Sequence, residues 1–231
     1  MARSKLSFMV ISLAFALTMT PASAEQTLSE RLGDILQERA DSHLGADFAY
    51  RKLELVTLLG ELRAEDIRLT TRVEALDEGL NQVLRADHVL VKGEWLTPQQ
   101  NSLVVDSVVA RDAQLTVAYY GKGQSNLHAL YEAAMRQQVL QRASNSIMWQ
   151  VKQSRLENVV LNLFDQGQPI LSVRLALLEL PPAHADDTAD TYIAKLLWPV
   201  LEQVLEQAMA GNSDAVVDYS RLTQFIWREI R

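Results

Sequence analysis

From about residue 50 to residue 120 the chain repeats with a period of two, and this limits it to a sheet with one apolar and one wet face. The clearest stretch is 66–74. There Ile67, Leu69 and Val73 point one way, while Asp66, Arg68, Thr70, Arg72 and Glu74 point the other. Weaker alternation runs through 52–58, 84–91, 103–109 and 114–120, with Gly60, Gly79, Gly93, Pro98 with Asn101, and Asp112 as turn signals. No helical crossover within this stretch is long enough to make its strands parallel, so an antiparallel meander is expected.

Helical spacing replaces the alternation in four places. Residues 25–41 place Leu28, Leu32, Ile35 and Leu36 on one face. Residues 126–142 do so with Leu127, Leu130, Ala134, Val139 and Leu140 behind an Asn126 cap. Residues 188–209 and 214–230 read as a helix pair, with Gly211 closing the first and Ser213 capping the second. Between the middle helix and this pair, 147–151, 155–164 and 169–180 read as strands, the last two forming a hairpin about Gln166-Gly167-Gln168. The expected fold is α+β: a curled, mostly antiparallel sheet flanked by N-terminal, middle and C-terminal helices. No Gly/Ser-rich or Pro-rich linker divides it, so 25–231 is expected to be one domain, with the helix pair at about 187–230.

The first 24 residues stand apart. Arg3 and Lys5 precede an apolar run at 6–19, followed by Pro21 and Ala22-Ser23-Ala24, the form of a cleavable signal peptide. The run is interrupted by Ser7, Ser12 and Thr18 and is shorter than the ~20 residues of a transmembrane helix. Export is therefore expected. The chain carries 29 acidic against 22 basic side chains, a formal charge of −7, and cleavage removes two basic groups and no acidic one. That balance argues against a nucleic-acid partner, which demands clustered Lys and Arg. The absence of cysteine excludes disulfides, thiolate zinc sites and cysteine nucleophiles.

Motifs for chemistry are missing. The histidines, His43, His88, His128 and His184, include no i,i+4 pair on an expected helix. Asp87 and His88 are neighbours in a strand, so they are expected on opposite faces. Glu65-Asp66 has the look of a solvated turn. Gly123-Gln124-Ser125 opens like a nucleophile elbow, but Leu127 stands where the closing glycine belongs. No catalytic residue, metal ligand or cofactor is assigned, and the chain is expected not to be an enzyme.

The apolar sheet face has to be covered. Either the helices fill it as an ordinary core, or the sheet curls into a trough that accepts acyl chains. In the second case the lining would be Leu55, Ile67, Leu69, Val73, Val105, Leu115, Val117, Trp149, Val151 and Leu161. Residues 103–130, LVVDSVVARDAQLTVAYYGKGQSNLHAL, resemble a segment of the AsmA family of envelope proteins. Two alternating strands there lead into a Gly-x-Ser-Asn-Leu-x-x-Leu turn, filled by Gly123, Ser125, Asn126, Leu127 and Leu130. The strands at 154–164 and 170–180, followed by a long helix, resemble the family's closing strands. The departure is at 181–190, PPAHADDTAD, where family members place a Gly-rich turn. The resemblance spans about 48–209 and implies a single short unit.

What the resemblance implies is a periplasmic, non-catalytic lipid-binding or lipid-transfer module of the bacterial envelope. Its partners would be a phospholipid or other acyl lipid and a larger envelope protein. The alternative is an envelope scaffold with a filled core and no ligand. The C-terminal segment adds an apolar face of Leu222, Phe225, Ile226 and Trp227, with Arg221, Arg228 and Arg231 nearby. This face either docks on the domain or makes a peripheral contact with a membrane or partner.

Overall fold

The computed structural model describes residues 28–56, 59–93, 102–143, 148–182, 188–209 and 215–230. The signal-peptide segment, His184, the Gly211 and Ser213 caps and Arg231 lie outside them. The chain begins with α1 (Leu28–Arg39), which widens into a π-turn at Ala40–Leu44 and closes at Gly45. Strands β1 (Ala46–Ala49), β2 (Lys52–Val56) and β3 (Glu61–Thr71) follow, then a single turn of helix, α2 (Glu78–Asn81). Next come β4 (Gln82–Gly93), β5 (Ser102–Gly121), the two-residue β6 (Gln124–Ser125) and α3 (Asn126–Ala143). The chain continues through β7 (Met148–Asp165), β8 (Gln168–Glu179), α4 (Ala189–Met209), β9 (Val216–Val217) and α5 (Tyr219–Ile230).

These strands form one curled, open sheet in the order β1-β3-β4-β5-β7-β8-β9, with β2 continuing the β1 edge along β3 and β6 folded back on β5. The α+β class, the mostly antiparallel sheet and the N-terminal, middle and C-terminal helices follow the expectation from sequence. The middle helix has a consequence that periodicity did not reveal. β5 and β7 run parallel, in register from Ser102↔Met148 to Tyr119↔Asp165. The 18-residue α3 is the crossover. At ~1.5 Å per residue it returns the chain about 27 Å, so β7 restarts at the end where β5 began.

The expected breaks inside β5 and β7 are also absent. Asp112 is no turn, because β5 is continuous through it, and the strands expected at 147–151 and 155–164 are one strand. Asp66, Asp112 and Asn158 each adopt φ of 50° or close to it within a strand. The registers set Asp66, Asp87, Asp112, Asn158 and Ala176 in one transverse row. On either side of that row the inward residues are three apart rather than two. The pairs are Ala64 and Ile67, Ala86 and Val89, Ala110 and Ala113, Leu156 and Val159, and Leu175 and Leu178, all buried. A left-handed residue inserts the extra step that keeps both halves of a strand facing the core, and such insertions bend and twist a sheet locally. Aligned across the sheet, they make a crease.

The crease corrects two expectations from sequence. Asp87 and His88 both lie on the exposed face, because the inward positions beside them are Ala86 and Val89. Glu65-Asp66 is no turn either. It sits mid-strand, with Glu65 paired to Arg51 and Asp66 to Arg68. The same outer face carries the Arg111–Glu157 and Lys152–Asp106 pairs between β5 and β7.

All the long helices cover the inner face. Leu32 and Leu36 of α1, Leu130 and Tyr131 of α3, Ile193 and Val200 of α4, and Leu222 and Phe225 of α5 join the sheet residues in one core. Tyr131 and Tyr192 stack at 4.8 Å between α3 and α4. Among the described residues no helix is long and apolar enough to cross a membrane.

Candidate functional site

The end of β5 turns at Gly121–Gln124 and enters α3 through a fully buried Ser125-Asn126 pair. Gly123 takes φ of 62°, a conformation that favours glycine. A Cβ there would stand 3.3 Å from Asp190 Oδ1, and the Gly123 N–H donates to Glu229 Oε2 at 2.9 Å. The turn is thus wedged between the start of α4 and the end of α5.

Asn126 is a four-way staple. Its Nδ2 donates to the carbonyls of Leu80 (2.8 Å) and Thr116 (3.0 Å), while its Oδ1 accepts from the N–H groups of Ala118 (3.0 Å) and Leu127 (2.7 Å). It ties α2, β5 and α3 together. Ser125, and not Asn126 as expected from the sequence, supplies the cap, because Asn126 is already the first helical residue: the Ser125 Oγ accepts the His128 N–H at 3.1 Å and lies 2.7 Å from His128 Nδ1. With the hydroxyl donating to Nδ1, the ring carries its proton on Nε2, which lies 2.9 Å from Asp190 Oδ1. Burial pushes the His128 pKa down, and Asp190 opposes this in part.

This Ser-His-Asp chain is not arranged for nucleophilic attack. Ser125 has no exposed surface, and its Oγ already caps the helix. The exposed member is Asp190. Among the described residues no group of three or more metal-ligating side chains occurs.

Beside this network a cavity of about 430 Å3 opens between α4 and α5. Its floor is Tyr119 with His128, and its polar end is formed by Lys122, Gly123, Asp190 and Glu229. Ile193, Ala194, Leu197, Trp198 and Leu201 of α4 and Phe225 and Ile226 of α5 form the apolar walls. Tyr119 is 5% exposed, and its ring lies edge-on to Phe225 at 4.8 Å and to His128 at 5.4 Å. Its hydroxyl lines the cavity and has no hydrogen-bond partner among the described residues. Burial raises its pKa, and the Glu229 and Asp190 carboxylates raise it further, so it stays a donor. Arg228 fastens α5 beside the cavity, donating through Nη1 and Nη2 to the Asp165 carboxylate at 2.8 Å each.

The residues expected to line a trough sit elsewhere. Ile67, Leu69, Val105, Leu115, Val117, Val151 and Leu161 are buried beneath the helices, and Leu55 and Val73 are half-buried. They form a filled core, the first of the two arrangements open to the sheet face. Trp149 takes its place in β7 opposite Leu103, but its side chain lies outside the described residues. Leu222 and Phe225 are likewise core residues and do not face outward as a membrane or partner contact would require. An amphipathic helix buries its apolar stripe when a sheet face is at hand. Ile226 is half-buried on the cavity wall, and Trp227 is exposed. Arg221 pairs with Asp218.

Gly123, Ser125, Asn126 and Leu127 do come together in the structural joint just described, and Leu130 follows in the core. Tyr119, His128, Asp190 and Trp198 were not singled out as a site. Their only sequence signal is the proximity of Tyr119 and His128 to the Gly-x-Ser-Asn turn, because Asp190 and Trp198 lie on a helix more than 60 residues later. Compared with the known protein families and with curated proteins, the chain matches none.

Proposed function

We propose that the protein is a non-catalytic lipid-binding module of the cell envelope, and that the acyl chain occupies the cavity between α4 and α5. The observation that carries this reading is the contrast between the two apolar surfaces. The sheet face is filled by the protein's own helices, whereas the α4–α5 cavity remains open and lined mainly by Leu197, Trp198, Leu201 and Ile226. About 430 Å3 falls toward the lower part of the roughly 300–1,000 Å3 typical of small-molecule sites, a size for one chain rather than two. The resemblance of 103–130 to the AsmA family and the signal-peptide pattern of the first 24 residues support an exported location. The buried position of Ser125 supports a role without catalysis.

Native mass spectrometry of protein purified from the periplasm without detergent, combined with lipid extraction, tests this reading. A stoichiometric lipid adduct that disappears on Ala194→Trp supports it. A bare chain that takes up no added lipid overturns it and favours the scaffold alternative.

A further inference from the structure

The cavity is polarised along its length. Asp190, Ala194, Leu197 and Leu201 follow one another at i, i+4, i+7 and i+11 on one face of α4, a line of about 16 Å. Both Asp190, at the start of α4, and Glu229, at the end of α5, reach Gly123, so the two carboxylates mark the same end. Lys122 stands there too, and the unpartnered Tyr119 hydroxyl opens onto the same space. Beyond them the walls are aliphatic and aromatic.

The charges at this end constrain what fits. Around the opening are Lys122 and two carboxylates, Asp190 and Glu229, the second of them paired with Arg228 at 2.8 Å. Asp190 is held by His128 Nε2 and Glu229 by the Gly123 N–H and Arg228, so both are fixed acceptors. A lone anionic head, such as a free fatty-acid carboxylate, pairs with Lys122 but leaves the Asp190 carboxylate unmatched beside it. A head that carries both signs meets both: an anion for Lys122 and the Tyr119 hydroxyl, a cation for Asp190.

Building on the lipid-binding reading above, we infer that the cavity selects a single-chain lipid with a zwitterionic ammonium–phosphate headgroup. The phosphate faces Lys122 and the Tyr119 hydroxyl, the ammonium faces Asp190, and the chain runs along Ala194, Leu197 and Leu201.

Isothermal titration calorimetry of the full mature chain with three probes of equal chain length tests this. The probes are lysophosphatidylethanolamine, lysophosphatidylglycerol and the free fatty acid, each below its micelle concentration. The expected result is at least tenfold tighter binding of lysophosphatidylethanolamine than of the other two. Tyr119→Phe should weaken that binding about three- to tenfold, in line with loss of one hydrogen bond. Asp190→Asn, which keeps an acceptor for His128, should erase the preference among the three probes. Equal or tighter binding of either anionic probe, or a preference unchanged in Asp190→Asn, overturns the headgroup assignment alone. Failure of all three probes to bind overturns the lipid-binding reading and this inference together.

Discussion

Asn158 donates its side-chain amide to the carboxylate of Asp112, its neighbour on the parallel strand, and both residues hold a left-handed backbone at φ of 50°. The bond links the crease across the β5–β7 junction, where the two halves of the sheet meet. Asp and Asn tolerate this conformation better than other non-glycine residues, whereas a β-branched side chain clashes with its own backbone there.

Asp112→Val is therefore expected to destabilise the protein by roughly 1–2 kcal/mol, while Asp112→Gly, which adopts the same φ freely, costs far less. Urea unfolding of the two variants checks this. Equal losses would mean that the carboxylate, and not the backbone, matters at the crease.

Removing the amide of Asn126 orphans two carbonyls and two N–H groups at a fully buried position. Each unsatisfied buried group costs about 1–3 kcal/mol before relaxation, so Asn126→Ala is expected to cost several kcal/mol. Hydrogen exchange should show α2 and the start of α3 opening together. A variant as stable as the parent would refute the staple.

His128 contributes a pH dependence of definite sign. Its folded pKa lies below the ordinary value near 6.5, because burial disfavours the charged ring more than Asp190, Glu229 and Glu132 favour it. The unfolded chain then binds the proton first as pH falls. The stability associated with the neutral ring is complete above about pH 6.5 and declines as pH drops toward the lower folded pKa. Asp47 and Asp66 are held below the usual carboxylate range by hydrogen bonds from Arg72 and Arg68 respectively. Their contribution declines only at more acidic pH, near and below about 4. Thermal melts between pH 7 and 5 should thus fall more steeply for the parent than for His128→Asn, and parallel slopes would exclude the assignment.

The core and the cavity should separate under mutation. Val117 has no exposed surface, so Val117→Asp buries an unpaired charge and is expected to unfold the chain outright. Ala194 is exposed on the cavity wall, so Ala194→Trp should abolish lipid uptake and shift stability by no more than about 0.5 kcal/mol. Circular dichroism and native mass spectra of both variants distinguish these outcomes. A folded, lipid-free Val117→Asp would restore the sheet face as the lipid surface.

Period-two alternation and helical spacing are local, and each follows from which side of a strand or helix a residue occupies. They were enough to establish the α+β class, the N-terminal, middle and C-terminal helices, and the inward set Ile67, Leu69, Leu115, Val117 and Leu161. Where alternation is broken, local reading fails: Asp112 resembles a turn because an aspartate between strand-like runs usually is one. Only alignment with Asp66 and Asn158 across the sheet identifies it as part of a crease. The parallel β5–β7 pairing likewise depends on the length of α3 measured against the strands, a comparison between elements.

The site lies still further from the sequence. Tyr119, His128, Asp190 and Glu229 converge from β5, α3, α4 and α5, and Leu222 and Phe225 change from candidate contact residues to core because α5 docks on the sheet. Away from the crease, the sequence by itself determined the face each residue could occupy, since side-chain direction is a property of neighbouring backbone dihedrals. The tertiary structure alone decided which apolar face was filled and which stayed open, since that depends on how helices far apart in the chain compete to cover the same sheet.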